Sequence, residues 1–116
     1  MVHASLHYMS TDRLQQLRAM LAEEPGDPFL RYAIALELKR EGEMEAAIND
    51  LEALLKDDPK HIPSYYQLAL MLADLGRTND AIHTCEVGML QCIVTGDRKA
   101  RAELQELMHS LMPDMP

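Results

Sequence analysis

Apolar residues recur three and four positions apart along most of this chain, the spacing that lines one side of an α-helix. Ile34, Ala35 and Leu38 form one such stripe, with Leu30 and Arg31 extending it a turn back, and Gly42 supplies the residue that ends a helix by accepting positive φ. A second stripe follows at Met44, Ala47, Ile48, Leu51, Leu54 and Leu55, closing at Asp57-Asp58-Pro59, where proline forbids continuation. The plan then repeats with Tyr65, Leu68, Ala69 and Leu72, a turn at Leu75-Gly76, and Ala81, Ile82, Cys85 and Met89. No proline stands near residue 93, so this helix runs on through Cys92-Ile93-Val94 to Thr95-Gly96. Asp97 then caps a last helix, roughly Arg98–Leu111, striped by Ala100, Leu104, Leu107, Met108 and Leu111 and ended by Pro113 and Pro116. At the other end Leu14, Leu17, Met20 and Leu21 predict a helix over 12–24, capped by Ser10 or Thr11, with residues 1–9 a disordered tail and Met9 a candidate natural start.

Laid on itself with a shift of 34, the chain aligns Pro28–His61 with Ile62–Thr95 without a gap. Identical pairs are Tyr32/Tyr66, Ala35/Ala69, Leu36/Leu70, Leu38/Leu72, Gly42/Gly76, Ala47/Ala81, Ile48/Ile82 and Glu52/Glu86. These are the small and apolar residues that a helical hairpin needs. Pro25 lies 34 residues before Pro59, so helix 12–24 is in phase as the second helix of a further repeat.

On these residues the chain resembles the tetratricopeptide-repeat family: period 34, small residues at Ala35 and Ala69, turn glycines Gly42 and Gly76, alanines Ala47 and Ala81, and the closing Pro59. Three departures stand out. Arg31 replaces the large aromatic that Tyr65 supplies in the second unit, Gly88 replaces the usual alanine, and Ile93 replaces the second closing proline. The resemblance implies an all-α solenoid of helix hairpins, about six helices in a right-handed superhelix. Its expected division is a tail over 1–9 and a single domain over 10–112. That domain comprises a half-repeat helix at 12–24, repeats at 28–61 and 62–95, and a capping helix at 97–112, with 113–116 a second tail.

Composition narrows the function. Apolar residues are 47% of the chain and aromatics 4%, with nine methionines that suit either gap-filling in a helical core or an adaptable binding surface. The formal charge of -8 repels a polyanion, and Arg98, Lys99 and Arg101 read as a solvated helix face, so no nucleic-acid partner is expected. No run of 18 apolar residues exists and the start lacks a secretory pattern, so no membrane partner and a cytoplasmic location are expected. Cys85 and Cys92 stand about two turns, or roughly 10 Å, apart on one helix, too far for a disulfide, and are expected to be reduced and buried.

Chemistry is sparse. His3 and His7 have the i, i+4 spacing of metal ligands but fall in the expected tail, and the remaining histidines assemble no set of ligands, so no metal or cofactor is expected. No nucleophile stands beside an oriented base, and the five glycines are not clustered into a phosphate loop. No catalytic residue and no enzyme activity are expected.

What remains is a surface. The first helix of each hairpin lines the inner face of a solenoid, which assigns Phe29, Tyr32, Leu36, Lys39 and Arg40, then Pro63, Tyr66, Gln67, Leu70, Ala73 and Asp74, to a concave groove. Exposed aromatic and aliphatic residues there suit a peptide ligand. Alternatively, the terminal helices cover this face and Tyr32 and Leu36 are core. The family's co-chaperones carry Lys and Asn, to clamp acidic tails, where this chain has Tyr32, Leu36, Tyr66 and Leu70; an apolar or mixed segment of another protein is the expected partner. Self-association as a homodimer and a secretion-type chaperone role are the competing expectations.

Overall fold

The computed structural model describes the backbone of residues 2–113 and side chains from Asp12 onward. Among the described residues there are six α-helices and no strand: α1 Val2–Glu23, α2 Pro28–Arg40, α3 Met44–Asp57, α4 Ile62–Asp74, α5 Thr78–Thr95 and α6 Arg98–Leu111. This is the all-α class that the apolar spacing predicts.

The helix ends follow from local chemistry. Gly42, Gly76 and Gly96 have φ of 86°, 78° and 76°. In that left-handed conformation each lets the next amide turn back and donate to a carbonyl of the closing turn: Glu43 to Leu38, Arg77 to Leu72 and Asp97 to Cys92, all at 2.9 Å. Asp27 caps α2, its carboxylate accepting from the Phe29 amide at 2.9 Å, and Asp97 caps α6 by accepting from Ala100 at 3.0 Å. Pro28 and Pro63 occupy first-turn positions, where a missing N–H costs nothing.

The N-terminal boundary differs from expectation. Helix α1 begins at Val2, whereas the sequence reading starts it at residue 12 after a disordered tail. No glycine or proline interrupts residues 2–23, so the polar Ser10-Thr11-Asp12 segment is helix interior and the capping role expected of Ser10 or Thr11 disappears. Residue 1 and residues 114–116 of the expected tails lie outside the described residues.

Two compact units make up the chain, residues 1–54 and 55–116. In the first, α1 packs on α2, and Leu30, Ile34, Ala35, Leu38, Ala47, Ile48, Leu51 and Leu54 are buried. Helix α1 contributes less than its stripe suggests, for Leu14, Leu17 and Leu21 are only half-buried and Met20 is exposed. One charged group is buried here. Glu37, 5% exposed, meets Arg13 of α1 at 3.2 Å and Arg40 at 3.9 Å, while its Oε1 has no hydrogen-bond donor.

In the second unit α5 packs on both α4 and α6, and α6 also touches α4. The three helices meet at Gly88. A Cβ built there would stand 2.8 Å from Tyr65 Cβ and 2.9 Å from both Tyr65 Cγ and Leu104 Cδ1. Tyr65 is the aromatic the first repeat lacks; under the 34-residue shift it corresponds to Arg31, and Gly88 to Leu54. With Tyr65 and Leu104 this close, residue 88 has no room for a methyl group, which accounts for glycine in place of alanine. The Tyr65 hydroxyl donates to the Pro59 carbonyl at 2.6 Å, which satisfies its polar end.

Candidate functional site

On α2 the expected ligand-facing residues share one stripe, beside the buried one formed by Leu30, Ile34 and Leu38. Phe29 is 71% exposed at the first turn; Tyr32, Leu36 and Lys39 are half-buried; and Arg40, at the last turn, is exposed. Arg40 leans back toward Glu37, which draws off part of the positive charge this end would show a ligand. Tyr32 and Leu36 are thus neither fully buried nor fully exposed.

On α4 the equivalent stripe has Pro63 exposed at the start, Tyr66, Gln67 and Leu70 half-buried, and Asp74 exposed at the end. Here α6 adds residues that the sequence does not assign to this face. Tyr66 lines a concavity of about 280 Å³ whose other residues are Glu103, Glu106, Leu107 and Ser110 of α6. Helix α6 therefore lies alongside α4 as another wall of the same face and leaves Tyr66 accessible. Glu103 and Glu106 pair with no cation among the described residues, so this wall is acidic. A signal was present: Glu103, Glu106 and Ser110 have i, i+3, i+7 spacing, a second stripe next to Leu104 and Leu107.

At the foot of α4, His61 Nδ1 and the wholly buried Ser64 hydroxyl share a 2.8 Å hydrogen bond. Burial lowers the His61 pKa below the usual 6.5, against the opposing pull of Asp58 and of its own backbone. The thiols of α5 are unsuited to nucleophilic work. Burial pushes Cys85 up to about 11, aided by Glu86, and also raises Cys92, with Asp97 acting in the same sense and Arg101 against it. Both cysteines are reduced and buried. Among the described residues no group of three or more His, Cys, Asp or Glu is placed to hold a metal ion, and no helix is long and apolar enough to cross a membrane.

Two helix hairpins in phase, closed by left-handed glycines and packed through alanines that are wholly buried at 35, 47, 69 and 81, define a helical-repeat protein-interaction module. The tetratricopeptide repeat family model matches residues 30–61. A tetratricopeptide repeat domain protein from Salinibacter ruber is 34% identical over 75% of this chain and 88% of its own, with a TM-score of 0.73. The chain belongs to the tetratricopeptide-repeat family, which is generally a non-catalytic protein-interaction fold. More distant likenesses show the fold alone. The TPR2B domain of yeast Sti1, solved in its pHsp70 complex, is 15% identical with a TM-score of 0.80, covering 94% of this chain and 87% of that one. The Yersinia enterocolitica type III secretion translocator chaperone SycD is 11% identical with a TM-score of 0.77, covering 95% and 77%. No curated protein sequence matches the chain.

Proposed function

We propose that this chain is a non-catalytic scaffold that holds a segment of another protein on its first-helix faces. The observation that carries the reading is the Tyr66 concavity, where a half-buried aromatic ring and Leu107 lie between polar and acidic neighbours. An aromatic residue that keeps part of its surface in a concavity offers a partner large contact area at low entropic cost, the usual chemistry of a hot spot. The α2 stripe of Phe29, Tyr32 and Leu36 offers the same residue types.

Solved relatives of this fold include the pHsp70 complex and a secretion chaperone. A clamp for acidic tails is not the mode supported here. Tyr32, Leu36, Tyr66 and Leu70 supply no cation, and the α4–α6 wall carries two carboxylates that would repel an acidic tail. The ligand we assign is apolar or mixed, and not acidic.

A random peptide library selected on the full chain tests this. Enriched peptides should lose at least about tenfold in affinity for Tyr66→Ala by calorimetry, the ~1.4 kcal/mol at which a side chain starts to count as an anchor. Peptides that bind the wild type and this variant equally, with helix content unchanged, would refute the assignment.

A further inference from the structure

An exposed apolar surface of the second unit lies on α5 and α6, at a groove that shares no lining residue with the Tyr66 concavity. Leu90, Ile93 and Val94 are 62%, 58% and 65% exposed, and their i, i+3, i+4 spacing puts them on one face of α5. Beside this ridge runs a groove of about 340 Å³ between α5 and α6, lined by Met89, Leu90 and Ile93 from one helix and Met108 from the other. The repeat shows that this character is particular to the second hairpin. Under the 34-residue shift, Leu90, Ile93 and Val94 correspond to Lys56, Pro59 and Lys60, residues that normally face water. Residues 87–96 contain no Asp, Glu, Lys or Arg at all, in a chain that is 26% charged as a whole.

We infer that this face is a two-fold contact between two copies of this chain, the Leu90–Ile93–Val94 ridge of each seated in the α5–α6 groove of the other. Three features of the surface select a second copy as occupant. First, ridge and groove are adjacent on one face, which is what a self-complementary, isologous contact requires. Second, the groove has one acidic and one basic wall, Glu86 on α5 and Arg101 on α6, and neither is in an ion pair among the described residues. A two-fold axis that runs parallel to the groove exchanges its walls, so the α5 ridge and Glu86 wall of one copy meet the α6 side and Arg101 wall of the other, and unlike charges meet twice. Third, the area is of the right order. The three ridge residues expose on the order of 300 Å² per copy, against the roughly 450 Å² of apolar surface that one partner contributes to a standard interface; Met89 and Met108 lie in the same groove. The net charge of -8 works against association at large, and a contact made through the uncharged stretch 87–96 is where that repulsion is least.

Sedimentation velocity of the full chain from about 1 to about 300 µM tests the contact, a span chosen to bracket a dimer of modest affinity. The expected result is a shift from monomer to dimer that Leu90→Lys abolishes while helix content by circular dichroism is unchanged. Charge exchange then reads the symmetry. Glu86→Arg alone and Arg101→Glu alone each place like charges across the axis, and each should remain monomeric at concentrations where the wild type dimerises. Mixed one to one, these two variants restore both unlike pairs and should form a heterodimer. A wild type monomeric throughout the range would overturn the inference, as would a dimer indifferent to Leu90→Lys. A mixture of the two charge variants that stays monomeric would overturn the two-fold arrangement. None of these outcomes depends on Tyr66 or on the peptide reading.

Discussion

Replacing Gly88 by alanine sets two well-measured effects against each other. Glycine inside a helix is less favourable than alanine by about 1 kcal/mol, and alanine is the family's usual residue here, so local reasoning predicts a more stable protein. The packing predicts the reverse. The added methyl would stand 2.8 Å from Tyr65 Cβ, an atom fixed to the α4 backbone, as well as 2.9 Å from Tyr65 Cγ and Leu104 Cδ1. Leu104 Cδ1 is the tip of a side chain and can rotate away. Tyr65 Cβ cannot, and its hydroxyl is tethered to Pro59, so α4 and α5 must separate. Overpacking of this sort costs about 1–3 kcal/mol, and a clash with an atom next to the backbone belongs in the upper half of that range. The net expectation is a loss of about 1–2 kcal/mol. In urea unfolding followed by circular dichroism, the midpoint should fall by about 0.5–1 M at unchanged slope. A midpoint equal to or above that of the wild type would refute the packing argument and leave helix propensity as the larger effect.

Three further measurements bear on the same structure. The His61 pKa is lower in the folded chain than in the unfolded one. The unfolded state therefore takes up a proton first as pH falls, and stability should decline from about pH 6.5 downward and level off below the folded-state value. His61→Gln should show a shallower dependence in urea midpoints measured between about pH 7.5 and 5, and an identical slope would contradict the shift. The two thiols of α5, buried and with raised pKa values, should react with a disulfide reagent at pH 8 only after denaturant is added; rapid labelling of the native chain would show that α5 is open. Glu37 occupies the place of Met71 under the repeat shift and leaves one buried oxygen without a donor. Glu37→Met should thus match the wild type or gain about 1 kcal/mol in urea unfolding, whereas Arg13→Met should lose stability by removing the cation nearest that carboxylate. A clear loss in the first variant would show the ion pair to be net stabilising.

The helices and their ends were legible in the chain because the signals that set them are local. A glycine at 42, 76 or 96 and an aspartate at 97 act on backbone atoms a few residues away, and the three- and four-residue spacing of Leu, Ile and Ala declares which side of each helix is buried. Repeat symmetry extended that reading to the equivalence of Tyr32 with Tyr66 and of Leu36 with Leu70. The start of α1 lies earlier than these local cues place it, for a related reason. Ser10, Thr11 and Asp12 favour a cap but do not compel one, and nothing else in the first 23 residues breaks a helix.

Tertiary structure decided what depends on residues far apart in the chain. Gly88 looks like a departure from the family until Tyr65 and Leu104 converge on it from two other helices and leave no room for a methyl group. Glu37 looks like a surface charge until Arg13 of α1 lies over it. The apolar stripe of α6 identified the face it buries, yet it could not show that the neighbouring stripe of Glu103, Glu106 and Ser110 would stand beside Tyr66 and turn one wall of the candidate site acidic. Spacing along a helix determines which residues share a face; only packing determines what each face meets.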